Sequence, residues 1–202
     1  MVDGIRVKGI TDTEVLRALE TVPRHLFLDN AFEELAYRDK PFPIGSGQTI
    51  SQPFTVAFQS ELLNVKKGDK ILEIGTGSGY QACILLEMGA SVFTVERHKA
   101  LYNKVRAFLP AIGYHPNFFH GDGYNGLPAF APFDKILVTA GAPFIPEPLK
   151  SQLKIGGILV IPVGERDKQL MTSLKRPAKE EYEITTHGEF VFVPMLYKRE
   201  WD

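Results

Sequence analysis

Apolar positions recur at helical spacing early in the chain, then settle into short runs separated by amphipathic stretches. In "TDTEVLRALE", Thr11 and Glu14 stand at capping-box spacing, and Val15, Leu19 and Val22 follow on one face, which predicts a first helix. A second apolar stretch runs from about Phe27 to Leu35. The polar loop "GSGQTISQPF", Gly45 to Phe54, comes after it. "PFTVAFQSELL" then reads as a helix that accepts Pro53 in its first turn and that Gly68-Asp69 ends. From there the pattern alternates. "KILEIG" and "SVFTVE" predict strands around the helix "SGYQACILLEMG", which Gly89 closes. "HKALYNKVRAFLPAIG" is helical until Pro110, "PNFFHGD" and "DKILVTAG" are strands, and "LKSQLKIGGILVIPVGE" reads as helix, turn and strand. Strand alternating with helix implies right-handed crossovers and a mostly parallel sheet covered on both faces. The predicted fold class is therefore α/β, doubly wound, with an N-terminal helical segment. Beyond Arg166 the alternation stops, and "QLMTSLKRP", "EYEITTHG" and "EFVFVPMLY" predict antiparallel strands at one edge, joined by a solvated charged turn. Trp201 and the aromatic residues of that last run read as packing residues of an edge strand. The whole reads as one domain, 1–202, divided into an N-terminal helical and loop segment (1–67), a core (68–165) and edge strands (166–202).

Composition narrows the possibilities. With 202 residues, 44% hydrophobic and 23% charged, the chain is long enough for one sizeable core. Its 23 basic and 24 acidic residues give a net charge of −1, so no global positive field draws it to nucleic acid or an anionic membrane. The first residues lack a basic, apolar leader pattern, and no apolar run approaches the roughly 20 residues of a membrane span. The expectation is a soluble, cytoplasmic, monomeric protein. The single cysteine, Cys83, excludes an internal disulfide and reads as a buried small hydrophobe. His25, His98, His115, His120 and His187 form no metal-ligand spacing, and the serine of "GTGSGY" is displaced from a nucleophile elbow.

The strongest chemical signal is "ILEIGTGSGYQA", where an apolar strand runs into Gly75, Gly77 and Gly79 and then into a helix. That is where an open parallel sheet binds ligands. The spacing G-x-G-x-G differs from the dinucleotide fingerprint, and Glu73 stands two residues before it. A carboxylate there would repel pyrophosphate and favour a cation, which points to the sulfonium cofactor S-adenosylmethionine. Glu96, ending the next strand about 20 residues on, suits two ribose hydroxyls or, alternatively, a cap for the helix after it. Asp122 in "HGDGYNG" suits the adenine amino group or an ordinary Asp-Gly turn.

These motifs carry a resemblance. "EIGTGSGY", "VER", "GDG", "PFDKILVTAG" and "GGILVIPVGE" are similar to the motifs of class I methyltransferases, with a Rossmann-like fold. "VPRHLFL", "AYRD" and above all "GQTISQP" resemble one branch, the protein L-isoaspartate (D-aspartate) O-methyltransferases, and the likeness runs from about Val22 to Pro194. Phe54 and Thr55 depart from it, standing where relatives often have a histidine or tyrosine and a methionine. The resemblance implies cofactor contacts from Glu73, Gly75, Thr76, Gly77, Ser78, Gly79, Glu96, Arg97, Gly121, Asp122, Gly123 and Thr139. It implies Ser51 as the catalytic residue, with Thr49, Ile50, Gln52 and, more weakly, Ile161, Pro162 and Val163 holding an isoaspartyl peptide.

The implied substrate is an isoaspartyl residue with a free α-carboxylate, already ionised near neutral pH, so no general base is needed. The protein must orient that carboxylate toward the methyl group and exclude water. A loop of glycines and hydroxyls can do so without a full positive charge that would quench the nucleophile. Ser51 donates to the carboxylate in this reading; its alternative role is an N-cap for the helix entered at Pro53. The methyl ester is a better leaving group than carboxylate, the neighbouring peptide nitrogen displaces it as a succinimide, and hydrolysis returns some normal aspartate. Two other readings stay open, a methyltransferase for another acceptor such as a small molecule or RNA and a module that binds the cofactor without turnover, and a nicotinamide dehydrogenase is a further alternative that the glycine spacing and Glu73 weaken.

Overall fold

The computed structural model describes residues 1–165 and 167–196. Two short helices, α1 (Val2–Val7) and α2 (Thr13–Thr21), open the chain, so the helix expected first is the second. Its cap also differs from the expectation. Asp12, not Thr11, is the N-cap, accepting from the amides of Glu14 at 2.8 Å and Val15 at 3.2 Å. The backbone N–H groups of Thr11 and Asp12 instead donate to Glu61 Oε1, both at 2.7 Å. An acceptor directly before the helix takes the orphan amides, and Thr11 turns to a long-range partner.

After two 3-10 turns, Arg24–Phe27 and Asn30–Leu35, the stretch read as a loop forms a hairpin of β1 (Phe42–Gly45) and β2 (Gln48–Ile50). Phe42, Ile44 and Ile50 are buried, and Ser46 and Gly47 turn the chain with positive φ. Helix α3 (Pro53–Leu63) follows and ends at Asn64, which is left-handed at φ 51°, four residues before the expected stop.

The core then alternates as predicted: β3 (Lys70–Ile74), α4 (Tyr80–Glu87), β4 (Ser91–Glu96), α5 (Lys99–Ala111), β5 (Asn117–His120), β6 (Phe133–Val138), α6 (Glu147–Gln152) and β7 (Leu153–Glu165). Helix α5 runs one residue past Pro110, which lies in its last turn. Two antiparallel strands, β8 (Lys168–Lys175) and β9 (Glu183–Phe190), complete a seven-stranded sheet of order β5-β4-β3-β6-β7-β8-β9. From β5 to β7 the strands are parallel.

Both faces of the sheet are covered. Ile71, Leu137 and Val160 join residues of α2 to α5 in one cluster, while Leu72, Ile74, Ile136 and Leu159 join Leu149 of α6 in another. Helix α5 contributes Leu101, Val105 and Leu109, all buried at i, i+4 and i+8. Each is worth roughly 1.5–3 kcal/mol of transfer free energy. Burial on both faces is why these strands read as apolar runs rather than alternating ones.

The last predicted edge strand is not one. Beyond Phe190 the chain leaves the sheet edge and crosses back over the C-terminal end of β6. The Gly141 amide donates to the Val193 carbonyl at 2.9 Å and the Met195 amide to the Gly141 carbonyl at 2.7 Å. Pro194 has no N–H to offer a ladder, and Phe192 donates its own to the Gln169 side chain at 2.8 Å. Tyr197 and Trp201 lie outside the described residues.

Candidate active site

Strand order reverses between β3 and β6, because β4 and β5 lie on one side and β7 on the other. Ligands bind such sheets in the crevice at that point, beyond the carboxyl ends of the strands. A cavity opens there. Its floor is Ile74, Gly75, Thr76, Gly77 and Ser78, its sides are Glu96, Arg97, Gly123 and Thr139, and Gln48, Thr49, Ile50 and Ser51 of the hairpin stand opposite.

The local sequence explains the shape. Gly75 has φ 98°, and a Cβ there would lie 2.5 Å from Thr139 Oγ1, whose hydroxyl donates to the carbonyls of Ile74 and Gly75 at 3.0 and 2.7 Å. Only glycine meets both demands. At Gly123 a Cβ would come 2.3 Å from Ile74 Cγ2 and 3.2 Å from Met195 Cε. Gly79 instead makes room for Leu109 behind the loop and does not line the cavity.

Glu96 is almost fully buried, and its two oxygens accept from the amides of Gly77 and His98, each at 2.8 Å. One carboxylate thus ties the glycine turn to the start of α5 while facing the cavity. Arg97 donates to the Leu196 carbonyl at 2.5 Å, pinning the returning C-terminal segment, of which Val193, Pro194, Met195 and Leu196 form part of the wall.

Glu73 corrects an expectation. Strand alternation sends Leu72 and Ile74 to one face and Glu73 to the other, under α4, where it is fully buried and away from the cavity. Burial pushes its carboxyl up to about 8, so near neutral pH it is largely protonated rather than a lure for a cation. It bonds to the Thr94 hydroxyl, which lies 2.6 Å from that of Thr76 in the glycine turn. Cys83 lies on the same side, fully buried, and burial pushes its thiol well above the ordinary range.

Asp122 likewise does not line the cavity. It accepts from the Tyr124 amide at 3.0 Å, capping a 3-10 turn, while the Gly121 amide donates to the Glu96 carbonyl at 3.0 Å and also stays outside. Ile161, Pro162 and Val163 are absent from the site as well. They pair with β8 across Thr172, Met171 and Leu170, and the Pro162 carbonyl accepts from Ala142 at 2.9 Å.

A second, narrow cleft reaches the same place from outside. Pro41, Gln52, Thr55, Val191 and Phe192 line it, and it shares Thr49, Ser51, Thr139 and Val193 with the cavity. Those four residues are therefore the common wall of two openings. Among the described residues no ionisable side chain lines the cleft. Ser51 does not cap α3: the N-cap is Gln52, which makes no side-chain cap hydrogen bond. The sequence reading missed Val56, Tyr80, Gln81 and the segment Val193–Leu196 as lining. The first three follow Pro53 and Gly79 on helix starts that face the glycine turn, a signal present in the spacing; the last had none.

A doubly wound parallel sheet with its glycine turn at the switch point and a carboxylate closing the neighbouring strand is the class I methyltransferase fold. Within that class the match is specific. The family model for protein-L-isoaspartate (D-aspartate) O-methyltransferases matches residues 1–200, and the chain belongs to that family. It is 59% identical over 197 residues to the protein-L-isoaspartate O-methyltransferase of Flavobacterium johnsoniae, covering 97% of this chain and 92% of that one. The Christiangramia forsetii enzyme of the same name is 55% identical over 197 residues, with the same coverage of 97% and 92%. A Plasmodium falciparum beta-aspartate methyltransferase in complex with S-adenosyl-L-homocysteine superposes with a TM-score of 0.83 at 26% identity, covering 96% of each chain.

Proposed function

We propose that this chain transfers a methyl group from S-adenosylmethionine to the free α-carboxylate of L-isoaspartyl residues in damaged proteins and peptides, the first step in returning them to aspartate. The observation that carries the reading is the shared wall. Thr49 and Ser51 line a cavity built on a glycine turn and, at the same time, a second cleft of uncharged described residues.

The residues present fit the cofactor. The turn at Gly75 and the chain at Gly123 have no room for a Cβ, which would collide with Thr139 and Ile74, Glu96 offers a carboxylate suited to ribose hydroxyls, and Ile74 and Met195 offer apolar walls. Thr76, Ser78, Arg97 and Thr139 complete the holding set, with S-adenosylhomocysteine as the product retained after transfer. Bound there, S-adenosylmethionine supplies an electrophilic methyl group on a sulfonium.

The rest falls to the chain's own side chains and backbone. The Ser51 hydroxyl donates to one substrate carboxylate oxygen and orients the other toward the cavity. Thr49 and the backbone beside Ile50 and Gln52 hold the peptide, and Val191–Val193 takes the place at the cleft first assigned to Ile161–Val163. With no lysine or arginine among the described residues that line the cleft, the carboxylate keeps its nucleophilicity.

Near-neutral charge and a single buried cysteine support a monomeric, cytoplasmic protein with no nucleic-acid partner, its whole length acting as one domain. Among the described residues no helix is long and apolar enough to cross a membrane. The test is methyl transfer from labelled S-adenosylmethionine to two peptides identical except for one isoaspartyl or aspartyl linkage, read as base-labile methanol. Label on the isoaspartyl peptide alone is expected. Label on neither, with the cofactor bound, sinks the assignment of the acceptor.

A further inference from the structure

We propose that Arg24 is the positioning residue that holds Ser51 for this reaction, an inference that rests on the reading of Ser51 given above. Arg24 opens the 3-10 turn Arg24–Phe27 and is fully buried. Its Nε donates to the Ala36 carbonyl at 2.9 Å and its Nη2 to the Ser51 carbonyl at 2.8 Å. The guanidinium carbon sits 4.8 Å from the centre of the Tyr80 ring, and Nη1 has no hydrogen-bond partner among the described residues.

Stability alone does not account for such a group. A buried charge with an unspent donor is costly, and well-packed apolar residues commonly do as well or better in its place. What Arg24 joins gives it a purpose. Strand β2 stops at Ile50 and the cap of α3 is Gln52, so the intervening Ser51 belongs to neither element. Its carbonyl is held by the arginine instead. The same guanidinium lies against Tyr80, the first residue after the glycine turn, and both Tyr80 and Ser51 line the cavity. One planar fork therefore sets the hairpin end against the cofactor side, with a geometry that a lysine cannot reproduce.

The charge matters too. Arginine stays protonated in proteins. This one lies one peptide group behind the wall at which a substrate carboxylate would arrive, so it favours an anion there without touching it or neutralising it directly. Both effects act on the peptide side of the site. The hydrogen bonds of Arg24 go to Ala36 and Ser51, and among the described residues its only link to the cofactor side is the face of Tyr80, so cofactor affinity is expected to depend on it far less than peptide turnover.

The experiment is a double-mutant cycle on the full chain with Arg24→Met, Arg24→Lys and Ser51→Ala, reading kcat and KM for an isoaspartyl peptide, Kd for S-adenosylhomocysteine by calorimetry, and the thermal midpoint. Arg24→Met is expected to lower kcat/KM at least tenfold while Kd moves less than threefold, with partial recovery in Arg24→Lys. In the Ser51→Ala background Arg24→Met is expected to cost a clearly smaller factor than in the parent, because the hydroxyl it positions is gone and only the charge behind the wall is lost. The same factor lost in both backgrounds, or Kd weakening in parallel with peptide turnover, overturns the inference in favour of a purely structural role. Should Arg24→Met not fold, the Arg24→Lys and Ser51→Ala cycle is read by the same criteria. Full activity in Ser51→Ala alone overturns the role of Ser51 and the inference with it, whereas a lost activity with an additive cycle overturns only the part played by Arg24.

Discussion

The two halves of the site are built differently. The cofactor half is local: β3, its glycine turn and α4 are contiguous from Lys70 to Glu87, and Glu96 arrives on the adjacent parallel strand. The proposed peptide half is assembled from distant pieces, Thr49–Ser51 from the end of a hairpin near the start and Val191–Val193 from the far end, held by Arg24, Gly141 and Gln169. A contiguous half tolerates loss of one contact because the sheet still holds the rest. An assembled half depends on each tie.

The sharpest way to break this contrast is Ser51→Ala. Loss of a single donor aimed at the reacting group costs on the order of 10²–10³ in kcat. We expect a fall of about 100-fold or more, with the Kd for S-adenosylhomocysteine unchanged in calorimetry. A variant that instead loses cofactor would merge the two halves into one.

Glu96→Gln addresses the other side. A hydrogen bond to a charged group is worth roughly 1.5–3 kcal/mol, so cofactor binding should weaken about tenfold or more while the peptide KM at saturating cofactor stays put. Unchanged calorimetry would leave Glu96 as a cap for α5 and the turn, and no more.

Glu73 sharpens the comparison through pH. Its folded value, about 8, lies above the ordinary 4.5, so between these the folded state keeps a proton that the unfolded chain has lost. Its contribution is full below about pH 4.5 and declines as pH rises toward 8, with a limiting slope of about 1.4 kcal/mol per pH unit. Glu73→Gln is expected to flatten that part of the urea-denaturation stability profile and gain on the parent at pH 8. An unaltered profile would mean that Glu73 ionises freely where it sits.

The smallest effect is expected at the cleft rim. Val191 is 76% exposed, and Val191→Glu places a carboxylate beside an incoming one. At high effective dielectric this costs about 1 kcal/mol, a rise in peptide KM of about threefold to fivefold. Added salt should erase it; a salt-insensitive rise would point to steric obstruction instead.

The same division governs what could be read from the residues in order. The run from Lys70 to Glu96 announces itself because strand period, turn glycines and helix period follow one another without long-range help. Glu73 was still misjudged, since its nearness in sequence to Gly75 hides the alternation that turns it to the opposite face. The hairpin escaped notice because its strands are four and three residues long, below the length at which alternation is visible. The segment after Phe190 carries alternating aromatic and aliphatic residues and mimics a strand. Only the partners it meets, Gly141 and Gln169, show that it roofs the cavity. Arg24 stood in plain view in "VPRHLFL", yet no local pattern connects residue 24 with residue 51.

A cleft lined by Pro41, Ser51, Gln52, three threonines and the Val191–Val193 segment, without an ionisable side chain among the described residues, has a broader meaning. Spontaneous damage does not choose its neighbours, and a mender that demanded a particular charge beside the lesion would leave most of its clients unserved. Backbone and hydroxyl surfaces are indifferent to the surrounding address while remaining strict about one misplaced carboxyl. A cleft in the role proposed for this one would read the error and ignore the text around it.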